Sequence, residues 1–171
     1  MVKKYVFAAS LFMLLSSAVS AQNFEVPSGY TLKVKEDYAR YEKDVIAATN
    51  WLQATALDEQ QEKRKEVSAF LMDWVNGSPT VNVEINPTIM DFEKKNNGML
   101  MLYMAGSAKY VLEHDYSKDR RAKQKYALQM MMDVYKMDKG IKKDKKMDKL
   151  IKQTEEGKLD EWLEQNLKIG T

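Results

Sequence analysis

Ten consecutive residues, Met99-Leu100-Met101-Leu102-Tyr103-Met104-Ala105-Gly106-Ser107-Ala108, carry no charge in a chain that is 30% Asp, Glu, Lys and Arg. The run is too short to cross a bilayer, which takes about twenty apolar residues. It is also too uniform for one face of a surface helix, because apolar groups occupy almost every direction around its axis. A helix from about Met99 to His114 must therefore be enclosed by others, and Ala105 to Ala108 offers a patch of small side chains where a neighbouring backbone can come close. The whole chain has 12 Met but only 3 Pro and 7 Gly among 171 residues. That balance favours helices, and the length buries roughly two-thirds of the chain's surface without a second domain.

The flanking patterns supply the enclosing helices. From about Glu36 to Ala54, Tyr38, Tyr41, Val45, Ala48 and Leu52 step by three and four, with Trp51 widening the face. A second helix opens near Asp58, or at Thr55 with Asp58 as a capping box. Its stripe is Val67, Phe70, Leu71, Trp74 and Val75, and Asn76-Gly77 before Pro79 ends it. Asn86-Pro87 starts a short helix ending near Asn97-Gly98. Ser117 caps a fifth running to about Lys139, with Gly140 as its stop. Two shorter ones centre on Met147-Leu150-Ile151 and on Leu159-Trp162-Leu163-Leu167, separated by Gly157. Val81-Asn82-Val83-Glu84-Ile85 alternates as a short strand or extended segment does, with Leu32-Lys33-Val34 as its candidate partner. The expectation is an all-α fold of about seven helices with at most one β-like segment, and no solenoid repeat.

The N-terminus sets the expected compartment. Lys3 and Lys4 precede an apolar run from Val6 to Leu15, broken only by Ser10, and Ser16 to Ala21 is a series of small residues. Val19 and Ala21 occupy the −3 and −1 positions for signal peptidase, so cleavage is expected between Ala21 and Gln22. The expected organisation is a signal peptide at 1–21 and one helical domain at 22–171, soluble in the periplasm or the medium. Without a cysteine there is neither a lipoprotein anchor nor a disulfide.

Charge excludes one class of partner. Gln22 to Gly98 holds 9 basic and 13 acidic residues, and Met99 to Thr171 holds 16 and 12. The mature chain is thus neutral overall but dipolar, which gives no basis for nucleic acid binding. Lys139, Lys142, Lys143, Lys145, Lys146, Lys149 and Lys152 form a basic run offset by Asp144 and Asp148. Such a run is either a solvated helix face or a dock for anionic lipid, lipopolysaccharide or an acidic partner.

Candidate chemistry is sparse. The single histidine, His114, lies between Glu113 and Asp115, but adjacent helical side chains diverge by about 100° and cannot converge on one metal. Met99, Met101, Met104, Met130, Met131 and Met132 suggest a thioether copper site, yet they read better as core filling or as the lining of an apolar ligand pocket. Arg64 and Trp74 lie along one stripe, where a guanidinium beside an aromatic ring can clamp a carboxylate or a sugar. Tyr103 and Tyr110 are seven apart on the central helix. No GxSxG, HExxH, P-loop or GxGxxG motif occurs. No cofactor, metal site or catalytic residue is therefore assigned. The expected function is a binding or interaction module for an unidentified protein or envelope component, without a stable membrane anchor. Arg64, Trp74, Tyr103, Tyr110 and His114 are its candidate face. The alternatives are a small carboxylate-dependent hydrolase of envelope glycans and a carrier of an apolar ligand in the Met-rich core.

Trp51-Leu52 with Thr55, Lys63-Arg64-Lys65, Ala69-Phe70-Leu71 with Trp74-Val75, Gly77-Ser78-Pro79-Thr80-Val81 and Gly140-Ile141-Lys142-Lys143-Asp144 resemble a family of small exported proteins of Bacteroidetes-type Gram-negative bacteria. The likeness runs from about Asp44 to Trp162. It implies export and a helical fold, and brings no site residues with it.

Overall fold

A computed structural model describes residues 23–167. The segment read as a signal peptide, with Ala21 and Gln22 at its cleavage site, lies outside the described residues. Eight helices follow in order: α1 (Lys35–Arg40), α2 (Glu42–Ala54), α3 (Gln61–Gly77), α4 (Pro87–Lys95), α5 (Met99–Glu113), α6 (Arg120–Lys136), α7 (Lys145–Glu155) and α8 (Leu159–Leu167). There is no strand among the described residues, so the architecture is all-α. None of these helices is long and apolar enough to cross a membrane.

The uncharged run dictates the arrangement. Ten of the fifteen residues of α5 are buried, including every residue from Met101 to Ala108. Helices α2, α3, α4 and α6 pack around it, with α6 the most extensive neighbour. The small patch sets how close α6 comes: a Cβ placed on Gly106 would lie 3.0 Å from the Ala127 Cα. Met99, Met104, Met130, Met131 and Met132 are core residues, in one buried cluster that extends from Phe24 to Leu167.

Local corrections to the expected elements have local causes. The first helix is two, because the backbone turns at Tyr41 (φ −97°, ψ 6°). The turn places the Tyr41 ring edge-on to Phe70 and Tyr30, at 6.3 and 6.4 Å. A one-residue break barely changes the phase of the apolar stripe, so periodicity runs straight across it. Helix α3 begins after Gln60 in a left-handed conformation (φ 47°) rather than at Asp58. The Thr55 hydroxyl closes α2 instead, donating to the Trp51 carbonyl at 2.7 Å. Helix α6 is capped by Asp119, which accepts from the Ala122 N–H at 3.0 Å. Ser117, expected as the cap, accepts from the Asp119 N–H.

Residues 81–85 form neither helix nor strand, so the expected pairing with Leu32-Lys33-Val34 is absent among the described residues. Val81 is buried and Val83 half-buried, while Asn82 and Glu84 face outward and Ile85 is 45% exposed, so one-sided packing accounts for the alternation only as far as Val83. Side chains stitch the segment down: Ser78 Oγ accepts from the Val81 N–H, and Lys123 Nζ donates to the Asn82 carbonyl. The α4 start follows its sequence signature, with Asn86 accepting from the Ile89 N–H at 3.1 Å and Pro87 leading the first turn.

Candidate functional site

The C-terminal turn of α4 ends in Lys94 and Lys95, and the N-terminal turn of α7 begins with Lys145 and Lys146. Four devices bring these ends together. Asn96, nearly fully buried, mimics a backbone pair with Lys142: its amide donates to the Lys142 carbonyl at 2.9 Å and its oxygen accepts from the Lys142 N–H at 2.7 Å. Gly140, with φ +67°, lets the link between α6 and α7 press against Asp58. Asp144 caps α7 by accepting from the Lys146 N–H at 2.8 Å. The Tyr135 hydroxyl accepts from the Asp144 N–H at 2.8 Å and donates to Asp148 Oδ1 at 2.9 Å.

The result is an open cleft of about 510 Å³ lined by Lys94, Lys95, Lys143, Lys145 and Lys146 with two acids, Asp91 and Asp144. Asp91 sits between Lys146 (2.5 Å) and Lys94 (3.1 Å). Hydrogen bonds from these two ammonium groups hold its carboxyl below the ordinary range. Lys143 pairs with Asp138 at 3.1 Å. Lys95 and Lys145 are exposed and make no ion pair among the described residues. Five ammonium groups against the two lining carboxylates and the Asp138 carboxylate that Lys143 holds leave a local excess of two positive charges. A neighbouring cleft of about 270 Å³ shares Asp91 and Lys146 and adds Lys149, Gln153 and Trp162. The Gln153 Oε1 is buried there without a hydrogen-bond partner.

The five residues singled out in sequence do not form one face. Arg64 is 9% exposed. Its Nη2 donates to the carbonyls of Thr55 and Ala56, and burial lowers its pKa. The guanidinium lies 5.8 Å over Trp51 rather than beside Trp74. It thus secures the turn between α2 and α3. Trp74 is fully buried and donates from Nε1 to the Tyr38 carbonyl at 2.9 Å. Tyr103 is also core, and burial pushes its hydroxyl up to about 12. Only Tyr110 and His114 come together, stacked with ring centroids 4.1 Å apart. His114 Nδ1 lies 2.8 Å from the Tyr110 carbonyl on an exposed surface.

Two further clefts flank the core. One, of about 420 Å³, lies between α3 and the start of α5 and is lined by Leu57, Met72, Leu100 and Met101 with Arg64 and Glu93. Glu93 is occupied there, accepting from the N–H groups of Gly98 and Leu100 at 3.0 and 2.8 Å. The other, of about 430 Å³, lies beside residues 81–85 and α6. Each of these two is lined by a single acid. In the lysine cleft both acids are committed, Asp91 to lysines and Asp144 to its helix cap. Among the described residues no three His, Asp or Glu side chains converge as a metal site.

Sequence reasoning isolated the lysines from 139 to 152 but not Lys94, Lys95 and Asp91, which complete the cleft from a helix some fifty residues earlier. The pair Lys94-Lys95 was visible; its neighbour in space was not. No family model, no curated protein and no solved structure matches the chain.

Proposed function

We propose that this chain is an exported, non-catalytic binding protein that docks on an anionic lipid surface of the cell envelope through the lysine cleft between α4 and α7. The observation that carries the reading is the convergence of Lys94 and Lys95 with Lys143, Lys145 and Lys146 around only two acids. The basic head, apolar run and small-residue cleavage site at the N-terminus support export, as does the resemblance to small exported proteins. Each lysine held near an anionic membrane contributes about 1 kcal/mol, and the attraction decays within a Debye length. Binding should therefore be reversible, strengthened by anionic lipid and abolished by salt. The two acids of the cleft are spent on lysines and on a helix cap, an arrangement that suits recognition better than proton transfer.

Co-sedimentation of the chain from Gln22 to Thr171 with vesicles tests the proposal. Phosphatidylglycerol-containing vesicles should pull the protein down at low salt, and pure phosphatidylcholine vesicles should not. The double reversal Lys95→Glu with Lys145→Glu should weaken binding at least tenfold, since each replaces an attraction of about 1 kcal/mol by a repulsion. Equal binding to neutral vesicles, or an unaffected double variant, would refute the reading.

A further inference from the structure

Lys123 lies in the first turns of α6, and its side chain points into the fold instead of solvent: the residue is 8% exposed. Its ammonium donates to the Asn82 carbonyl at 2.6 Å and makes no ion pair within 4.0 Å among the described residues. A buried ammonium normally has a carboxylate partner, because the field of a single carbonyl dipole replaces little of its lost hydration. The nearest candidate, Glu84, is already spent on Arg120, whose Nε donates to it at 2.8 Å. Lys123 lines the cleft of about 430 Å³, together with Lys118, Thr80 and Ser117 as further polar donors and Val111 and Pro79 as apolar wall. Arg120 and Glu84 cancel at the rim, so Lys118 and Lys123 remain as two uncompensated positive charges facing one space.

We propose that this cleft binds the phosphate dianion, free or as a small monoester, with Lys123 as its buried counter-ion, Lys118 as the outer one and the Thr80 and Ser117 hydroxyls as additional donors. Two positive charges match a dianion, and an ammonium already partly removed from water binds an oxyanion at a smaller further desolvation cost than an exposed one. Burial keeps the Lys123 ammonium below its ordinary pKa, with Arg120 adding to the effect and Glu84 opposing it. An arriving anion raises it again, so binding favours the protonated amine. The cleft lies apart from the lysine groove between α4 and α7, and its occupancy does not depend on lipid docking.

Isothermal titration of the Gln22 to Thr171 chain at constant ionic strength tests this with two probes, inorganic phosphate and phenyl phosphate, against sodium chloride as control. Saturable one-to-one binding of either probe is expected, and the ratio of the two affinities separates a free ion from an ester whose body uses the Val111 and Pro79 wall. Lys123→Met should reduce affinity at least tenfold and the exposed Lys118→Met about threefold. A merely structural Lys123, holding residues 81–85 to α6, would leave the wild-type chain indifferent to phosphate. The Lys123 Cε carbon resonance in the wild-type chain gives a readout that does not depend on any variant folding. A saturable shift with phosphate but not chloride supports the site. No saturable heat in the wild type, an unmoved Lys123 resonance, or undiminished binding by a folded Lys123→Met variant overturns it.

Discussion

Replacing Gly140 by alanine isolates the contact that aims the lysine cleft. Gly140 sits at φ +67°, and a Cβ there would lie 2.6 Å from the Asp58 Cβ and 2.7 Å from the Asp58 backbone nitrogen. Ordinary carbon contacts begin near about 3.5 Å, so the two segments would have to part by almost 1 Å. The Asp58 side cannot yield easily: Arg64 holds the Thr55 and Ala56 carbonyls, and the Glu59 N–H donates to the Ala56 carbonyl at 3.1 Å. Two terms follow. The left-handed backbone costs a residue with a Cβ about 1–2 kcal/mol, and forced overpacking about 1–3 kcal/mol. Gly157 supplies the control, with φ +75° and no atom within 4 Å of the place its methyl would take, so Gly157→Ala incurs the backbone term alone. Restriction of the unfolded chain favours both variants by about 0.4–1 kcal/mol and cancels in the comparison. Gly140→Ala should therefore be less stable than Gly157→Ala by about 1–3 kcal/mol. Urea unfolding followed by tryptophan fluorescence reads this, since Trp51, Trp74 and Trp162 are all buried. Equal losses, within about 0.5 kcal/mol, would show that the link from α6 to α7 does not press on Asp58, and the cleft geometry would fall with it.

Tyr103 has a pKa of about 12 in the fold against about 10 in an unfolded chain, so its neutral form stabilises the native state fully below about pH 10 and loses that contribution as pH rises towards 12. Two pKa units correspond to about 2.7 kcal/mol, and chemical denaturation from about pH 9 to 12 should show Tyr103→Phe gaining about that much relative to wild type; parallel pH curves would contradict it. Glu93→Ala strips the acceptor from the Gly98 and Leu100 N–H groups at the start of α5. It should cost about 1–2 kcal/mol in urea unfolding and speed hydrogen exchange of the Leu100 amide; an unchanged exchange rate would show that solvent or another group caps the central helix.

What sequence disclosed and what it hid divides along one physical line. The burial of α5 was legible because a run without charge has no face to offer water. The α4 start was legible because Asn86 and Pro87 act within one turn of themselves. The break at Tyr41 was not, since a single-residue turn leaves the apolar stripe in phase. The cap of α6 was misplaced by two residues because Ser117 and Asp119 are both good caps, and only the chain path after α5 selects between them. At residues 81–85 the alternation has no ladder partner, and one-sided packing accounts for it only at Val81 and Val83, with Ile85 exposed. Lys123 was hidden completely: in Arg121-Ala122-Lys123-Gln124-Lys125 nothing distinguishes the buried lysine from Lys125, which is half-buried and ion-paired with Asp160. Of the proposed face, Trp74 and Tyr103 are aromatic stripe residues that the core absorbed, and Arg64 turned inward to hold a loop.

The Asn96–Lys142 clasp also bears on the order in which the molecule is completed. Its two hydrogen bonds close a loop of 46 residues, within which both α5 and α6 must already be in place. Closing so long a loop is repaid only by contacts formed earlier, so local helices precede it and the clasp comes late. Lys94 and Lys95 thus carry their charge from the moment they are made, yet become part of a cleft only when the chain beyond Lys142 has docked. A polypeptide truncated before that point lacks Lys143, Lys145 and Lys146, and with them the basic cleft between α4 and α7.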